Sequence, residues 1–238
     1  MRKGAASGKV LSGKDKLVIH MLYLLTTRFA DAYDFVLKIV QTFIDKVGSE
    51  LQEQQCAEFL LIVSQLNVTK QQYNTWQETI GSFMQVMGPA RFFQVLPLKL
   101  CEFDMNSLTY AQDSRSYLLT IMHSKLQRAD IVFFVEQFIP LLKQLEHMRQ
   151  AVLAPVSETY SSIKAKKYET LIIQIWNLLP IFCRFTSPKL AAAFSSLLEY
   201  LEPMVNRDTH GLRSLALKVF TEIINHCRTT RIVTDQIK

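Results

Sequence analysis

Residues 131–145, Ile-Val-Phe-Phe-Val-Glu-Gln-Phe-Ile-Pro-Leu-Leu-Lys-Gln-Leu, carry the pattern that decides the fold of this chain. Apolar side chains recur there every three or four positions, at Ile131, Phe134, Val135, Phe138, Ile139, Leu142 and Leu145. This spacing places them on one face of an α-helix, because a helical turn takes 3.6 residues. The same period recurs within residues 36–47, 190–201 and 212–224. No stretch shows sustained apolar–polar alternation flanked by hairpin turns, so the chain is predicted to be all-α.

Capping and breaking residues divide this pattern into helices. Ser49 with Gln52 and Thr69 with Gln72 fit the capping box, and Asp113, Asp130 and Ser187 are candidate N-caps. Gly48 and the pair Gly88–Pro89 are stop signals. We expect helices near 15–28, 32–47, 50–66, 70–87, 113–126, 130–152, 158–184, 188–204 and 210–227, a helical turn at 89–95 and a loop at 98–112.

The prolines indicate a repeat. Pro97, Pro140 and Pro180 each stand between apolar residues, at intervals of 43 and 40 residues. HEAT and armadillo repeats have periods of about 40–47 residues, and each proline is expected to bend its helix. The sequence therefore predicts a HEAT/armadillo-like α-solenoid of stacked antiparallel helix pairs. We expect one continuous segment over 15–228, between a flexible basic tail at 1–14 and a C-terminal tail at 229–238.

Composition excludes several classes of protein. The 238 residues are 49% hydrophobic and 20% charged, which is too apolar for a disordered chain. Glycine and proline number only seven each, fewer than an all-β fold normally needs. The most apolar stretch, residues 171–183, is interrupted by polar residues and is too short to span a bilayer. The N-terminus has no signal-peptide pattern, and the four cysteines are widely spaced, so we expect reduced thiols in the cytosol or nucleus.

Basic residues gather at both ends of the chain. Residues 1–16 contain five basic residues and one acidic residue, while residues 207–238 contain six and three. This distribution indicates a polyanionic partner, although ordinary solvated charge explains it equally well. A short basic cluster precedes Tyr168. It has the same two interpretations, ordinary surface charge or a contact with RNA phosphates. The candidate nucleic-acid-binding residues are Arg2, Lys3, Lys9, Lys14, Lys16, Lys164, Lys166, Lys167, Arg207, Arg213, Arg228 and Arg231.

No motif in the sequence predicts catalysis, a cofactor or a metal site. Gly8, Gly13 and Lys14 approach a phosphate-binding loop, but Asp15 stands where serine or threonine is required. The five histidines lack metal-ligand spacing, and Cys183 lies in an apolar context typical of a buried thiol. Trp176 is expected in the core and Trp76 at a partly exposed position. The chain is therefore predicted to be a non-enzymatic binding protein.

Several segments together resemble a known family. Gln174-Ile-Trp-Asn-Leu-Leu-Pro-Ile-Phe-Cys183, followed by Ala-Ala-Phe at 192–194, is similar to a signature of the ribosomal RNA-processing protein 12 family. Ile80-Gly81, Gly88-Pro89 and Leu96-Pro-Leu98 resemble an earlier family block. The segments Ser116–Leu119, Phe138–Leu141 and 33–47 extend the likeness to about residues 17–228. Tyr117 and Ser187-Pro188-Lys189 depart from the family's usual Trp and Pro-Asp residues.

The resemblance implies a HEAT-repeat factor of ribosome biogenesis. Members of this family are nuclear and nucleolar, with shuttling to the cytoplasm. They associate with pre-ribosomal proteins, assembly factors and pre-rRNA, and support nuclear export with Ran GTPase or an exportin as further partners. The resemblance implies no membrane, small-molecule substrate or cofactor. Because the family's motifs are packing motifs, they identify no ligand-contacting residue in this chain. The alternative is a karyopherin-like or other HEAT-repeat adaptor that binds proteins without RNA.

Overall fold

The fold was analysed in a computed structural model that describes residues 13–100, 115–126, 129–153, 158–184 and 190–236. Side chains are described in these ranges except at 158–161, 190–192 and 226–236. The chain divides into two compact units, unit 1 ending at Met87 and unit 2 beginning at Gly88. The described residues form helices and turns without a β-strand. The predicted all-α, HEAT-type fold is therefore confirmed.

Unit 1 is built from helices that share one apolar core. Helix α1 covers Gly13–Leu24, α2 Tyr33–Val47 and α3 Glu53–Ser64, and α4 begins at Tyr73. Residues with the predicted period on α2, α3 and α4 form the core, and the burial of each large side chain contributes about 1.5–3 kcal/mol. The side chains that are fully removed from solvent include Leu37, Val40, Ile44, Leu60, Val63, Ile80, Phe83 and Met84.

The helix starts in unit 1 follow the predicted capping residues only in part. The backbone N–H of Thr69 donates to Gln72 Oε1 at 3.0 Å, as a capping box requires. The predicted Ser49–Gln52 box was wrong, because residues 48–50 form a 3₁₀ turn and α3 starts later. Gln52 itself precedes the helix, and its N–H donates to Gln55 Oε1 at 3.2 Å. Helix α4 runs to Val95, but Gly88 interrupts it with a left-handed φ of 74°.

Unit 2 contains the remaining helices. They are α5 (Tyr117–Lys125), α6 (Ile131–Phe133), a π turn (Phe134–Phe138), α7 (Ile139–Leu153), α8 (Glu158–Trp176), α9 (Leu179–Phe182), α10 (Leu190–Arg207) and α11 (Arg213–Gln236). Helices α7 and α8 form an antiparallel pair. Leu142 and Trp176 line one cavity at one end of the pair, and Leu153 and Ile163 line another at the opposite end.

An aromatic cluster fills the core of unit 2. The ring centroid of Phe182 lies 6.1 Å from that of Phe133, 5.4 Å from that of Phe134 and 6.1 Å from that of Phe138. Trp176 joins through Phe134 at 5.8 Å and is only 4% exposed, so its predicted core position is confirmed. The 174–183 segment, which carries the family resemblance, is therefore a packing element.

The three repeated prolines occupy different structural positions. Pro180 stands at the start of α9 and splits the single helix predicted over 158–184. Pro140 follows the π turn, in which the N–H of Ile139 donates to the carbonyl of Phe134. The prediction of a bend at Pro97 was wrong, because Pro97 lies in a loop after α4 has ended at Val95.

The predicted N-cap is confirmed at Asp130, whose Oδ1 accepts a hydrogen bond from the N–H of Val132 at 2.9 Å. The candidate N-caps Asp113 and Ser187 lie outside the described residues.

The domain boundaries proposed from the sequence stay predictions. Residues 1–12 of the expected N-terminal tail lie outside the described part of the chain. Helix α1 begins at Gly13, and α11 runs to Gln236, across most of the segment expected to be a C-terminal tail. In the described ranges, no helix combines the length and the apolar character that crossing a membrane requires.

Candidate binding surfaces

A recess in unit 2 is a candidate binding surface. It encloses about 410 Å³ between α7, α8, α10 and the turn that leads into α11. Its floor is apolar, and its rim carries charged and polar side chains. The lining comprises Leu142, Ile172, Trp176, Tyr200, Pro203 and Met204, with Lys143, Glu146, His147, Gln150, Glu199, Thr209 and His210 around them. Such a recess fits an apolar side chain of a partner, because apolar pockets with a polar rim are typical of interface anchors.

An ionic network holds the rim of this recess. Arg149 donates to both carboxylate oxygens of Glu146, at 3.0 and 2.7 Å, and Gln150 adds a third bond at 3.0 Å. The hydrogen bond from Arg149 is the main cause that lowers the pKa of the Glu146 carboxyl. On α8, Lys166 donates to Glu169 at 2.9 Å and lowers the pKa of that carboxyl. Both carboxylates are engaged as structural acceptors, so neither is arranged as a general base.

His210 connects the two carboxylates. Its Nε2 lies 3.7 Å from Glu146 Oε2, and its Nδ1 lies 3.8 Å from Glu169 Oε1. The backbone of this turn is unusual, with left-handed φ angles of 52° at Asp208, 56° at His210 and 68° at Gly211. A non-glycine residue adopts this region at a cost of about 1 kcal/mol or more. This backbone conformation places the imidazole of His210 between the carboxylates of Glu146 on α7 and Glu169 on α8.

The break between the helices predicted over 188–204 and 210–227 lies close to this turn, but no sequence pattern indicated the contacts of His210. His210 was considered only as a metal ligand, and its spacing excluded that role. Gly211 and the polar run Asn206–Thr209 were available as turn signals. The carboxylates that face His210 are more than 40 residues away in the sequence, so no local pattern could identify them. Among the described residues, no group of three or more His, Cys, Asp or Glu side chains could hold a metal ion.

The basic residues predicted from the sequence lie in different environments. Lys14 forms an ion pair with Glu50, and Lys16 is exposed on α1. Lys164 is only 8% exposed, which makes it unsuited to contact a phosphate. Lys166 is exposed but pairs with Glu169, while Lys167 is half-buried. The structure brings Lys166 and Lys167 together with Arg149, around a groove of about 500 Å³ between α7 and α8.

The remaining predicted residues do not join that groove. Arg207 is exposed, and the Arg213 Nε donates to the carbonyl of Val205 at 2.8 Å. Arg228 and Arg231 stand on α11, but their side chains lie outside the description. Arg2, Lys3 and Lys9 fall within residues 1–12, which are not described. Arg149, which sequence reasoning did not select, is the additional cation at the groove.

Comparison with known proteins gives a consistent result. A family model described as "Ribosomal RNA-processing protein 12, HEAT repeats" matches residues 9–236. A Schizosaccharomyces pombe protein named "Putative ribosomal RNA-processing protein 12" is 31% identical over 162 residues, which are 67% of this chain and 13% of that protein. The Gallus gallus "RRP12-like protein" is 26% identical over 205 residues, 85% of this chain and 15% of the relative.

A Saccharomyces cerevisiae relative extends the likeness along more of the chain. This protein, named "Ribosomal RNA-processing protein 12", is 23% identical over 223 residues, covering 87% of this chain and 17% of its own length. The chain thus spans between 13% and 17% of these three curated relatives.

Proposed function

Because this chain belongs to the ribosomal RNA-processing protein 12 family of HEAT-repeat proteins, we propose that it is a non-enzymatic scaffold in ribosome biogenesis. The match of the family model over residues 9–236 is the observation that carries this proposal. The chain binds pre-ribosomal particles through their assembly factors and pre-rRNA, and supports their maturation or nuclear export. It works in the nucleus and nucleolus and accompanies the particles to the cytoplasm, with Ran GTPase or an exportin as a further partner.

The recess of unit 2 supports the protein-binding part of this proposal. Its floor is apolar, and its rim is held by the Glu146–Arg149 pair and by His210. A large apolar side chain of an assembly factor fits inside a cavity of this size, and the rim limits the access of water to it. Preorganisation by the ionic network lowers the entropy that binding would otherwise cost.

The groove between α7 and α8 supports the RNA-binding part. Arg149, Lys166 and Lys167 line it, while Glu169 is its one carboxylate among the described lining residues. Three cations, of which Arg149 is paired with Glu146 and Lys166 with Glu169, contact few phosphates. We therefore expect a shallow dependence of affinity on salt, with a logarithmic slope of at most about two to three. Filter binding of a pre-rRNA fragment between low and high salt measures this slope. A slope of zero would contradict the proposal that this groove binds RNA.

Sedimentation tests the scaffold function directly. A tagged copy of the chain is expected to travel with pre-ribosomal particles in a gradient of nuclear extract. Glu199→Arg reverses a charge on the recess rim and is expected to weaken this association. Glu202→Arg is the matched control, because Glu202 is exposed on the same helix and does not line the recess. A chain that remains at the top of the gradient would contradict the proposal.

The alternative function is an adaptor that binds proteins alone. Ribonuclease treatment of the same extract separates the two functions. The scaffold proposal expects part of the partner set to be lost with the RNA. If every partner stays bound, and the Lys166→Glu/Lys167→Glu variant behaves as the wild type, the karyopherin-like adaptor is correct.

A further inference from the structure

Helix α2 of unit 1 exposes an apolar stripe that its own core does not use. Phe35 is 70% exposed and Ile39 is 47% exposed. Thr42 and Lys46 follow on the same helix face at intervals of three and four residues, and both are exposed. This exposed face covers about three turns, of which the first carries the two apolar side chains and the rest carries polar ones.

A groove runs beside this stripe, between α1 and α2. It has a volume of about 460 Å³ and is lined by Met21, Lys38, Ile39, Thr42, Phe43 and Lys46. Its charged lining residues are two lysines, without a carboxylate among the described side chains that line it. The groove therefore combines an apolar floor with a positive rim.

The neighbouring carboxylates do not cancel this charge. Lys38 Nζ lies 3.1 Å from Asp34 Oδ2, but this pair is exposed, and exposed pairs are weak. The other oxygen of Asp34 accepts a 2.5 Å hydrogen bond from the Thr75 hydroxyl. Asp45 precedes Lys46 in the sequence, but adjacent helix positions point about 100° apart and Asp45 does not line the groove.

Helix α1 adds to the uncovered apolar surface. Leu17 is 48% exposed, Ile19 51% and Tyr23 49%, so this helix offers three large apolar side chains to solvent. Leu17 stands four residues before Met21 and shares the helix face that lines the groove, whereas Ile19 and Tyr23 lie on the other side of α1. Leu17 therefore extends the exposed apolar surface beside the groove.

We propose that the α1–α2 groove binds an acidic amphipathic helix of a partner protein. Lys38 and Lys46 are eight residues apart, which separates them by about 12 Å along α2. A partner helix lying along α2 meets both ammonium groups when it carries two carboxylates seven or eight residues apart. Its apolar residues, at intervals of three and four, pack on Phe35, Ile39 and the groove floor. The apolar floor favours such a helix over a sugar–phosphate backbone, which would leave Ile39 and Met21 without apolar contacts.

Fluorescence anisotropy with three designed peptides tests this inference. The first peptide is an amphipathic helix with a leucine stripe and two glutamates eight residues apart. The second carries lysines in place of those glutamates, and the third has the composition of the first in scrambled order. We expect the acidic peptide to bind the whole chain about fivefold more tightly than the basic one, and the scrambled peptide to bind least.

Charge reversal provides a sharper test than loss of binding. Lys38→Glu/Lys46→Glu is expected to reverse the preference, so that the basic peptide binds more tightly than the acidic peptide. Lys70→Glu is the control, since Lys70 is exposed in unit 1 and lies outside the groove lining. Ile39→Asp is expected to abolish binding of both peptides, with circular dichroism verifying that the variant keeps its helices.

Each other occupant of the groove gives a distinct result. Equal binding of the acidic and basic peptides, or no binding at about 1 mM, would overturn the inference. Binding of polyuridylate that is lost in the lysine variant, without binding of the acidic peptide, would make the groove a nucleic-acid surface. A dimer that Ile39→Asp dissociates in analytical ultracentrifugation would assign it to a second copy. The inference goes beyond the proposed function, so its failure leaves co-sedimentation with pre-ribosomes unaffected.

Discussion

The indole Nε1–H of Trp76 donates a 2.7 Å hydrogen bond to the carbonyl oxygen of Val63. The bond joins the first turn of α4 to the last turn of α3, and the indole is only 6% exposed. The expectation that Trp76 would be partly exposed was therefore wrong. Its polar sequence neighbours lie on the solvent side of α4, whereas Ile80 and Phe83 share its buried face.

Trp76→Phe is expected to reduce the free energy of unfolding by about 1–2 kcal/mol, because it removes this bond and part of the ring volume. Trp76→Ala should cost about 3–5 kcal/mol, since it leaves a large cavity. Urea unfolding followed by circular dichroism measures both. A Trp76→Phe variant as stable as the wild type would show that the bond contributes nothing.

The Cys183 thiol is expected to be unreactive in the folded protein. Burial raises its pKa to about 12, and the nearby Glu222 carboxylate adds to the rise. The thiolate is the reactive form, so alkylation at pH 8 should be negligible until the chain unfolds. Mass spectrometry after iodoacetamide treatment, with and without urea, checks this. Ser196→Cys, at an exposed position on α10, is the reactive control. Native modification of Cys183 at the same rate would contradict its buried position.

Loss of the Glu146 charge should destabilise the protein at neutral pH but not in acid. Arg149 and Gln150 lower the pKa of this carboxyl below its ordinary value of 4.5. A lowered folded-state pKa stabilises the protein above the unfolded-state pKa, and this contribution disappears as the pH falls through the folded-state pKa. Glu146→Gln is expected to cost about 1 kcal/mol at pH 7, and the difference should shrink as the pH falls through the lowered folded-state pKa.

Thermal unfolding across this pH range measures the effect. Glu202→Gln serves as the comparison, because Glu202 is exposed on α10 and should give little change at any pH. A cost for Glu146→Gln that does not decline as the pH falls would mean that packing, rather than the ion pair, stabilises this rim.

Gly48→Ala should destabilise unit 1 although the backbone permits it. Gly48 has an ordinary helical φ of −56°, so alanine there would normally be neutral or stabilising. An added Cβ, however, would lie 3.0 Å from Val86 Cγ1 and 3.3 Å from Ile44 Cγ2. We expect a cost of about 1–2 kcal/mol.

The clash with Val86 predicts a specific non-additivity. In the double variant Gly48→Ala/Val86→Ala the added methyl group enters the space that Val86 leaves. The double variant should therefore lose less stability than the two single variants lose together, by about 1 kcal/mol in a double-mutant cycle. Additive losses would show that the close contact relaxes without cost.

The sequence predicted the helices more reliably than the surfaces. Apolar periodicity depends on local spacing, and most predicted helices lie within a few residues of the observed ones. The exceptions follow from conformations without such a signature, including the 3₁₀ turn that begins at Gly48 and the break before Pro180. Lys164 shows why exposed surfaces were harder to predict than helices. Its basic neighbours indicated an exposed side chain, but Lys164 is buried on α8, as are Ala165 and Tyr168. The recess depends on contacts between distant helices, so no local pattern could locate it.

The π turn at Phe134–Phe138 has a consequence for how length changes in this helix would be tolerated. A π turn holds one residue more than the corresponding stretch of α-helix, and is therefore equivalent to a one-residue insertion. Deleting a single residue there would restore a regular helix and leave the residues after it close to their present orientation, because five residues of π turn rotate the chain by about as much as four residues of α-helix. Leu142 would therefore still face α8. A deletion in the regular helix just after the π turn would instead rotate Leu142 and Leu145 by about 100° and turn them away from α8. The π turn is therefore the place where this helix tolerates the loss of one residue.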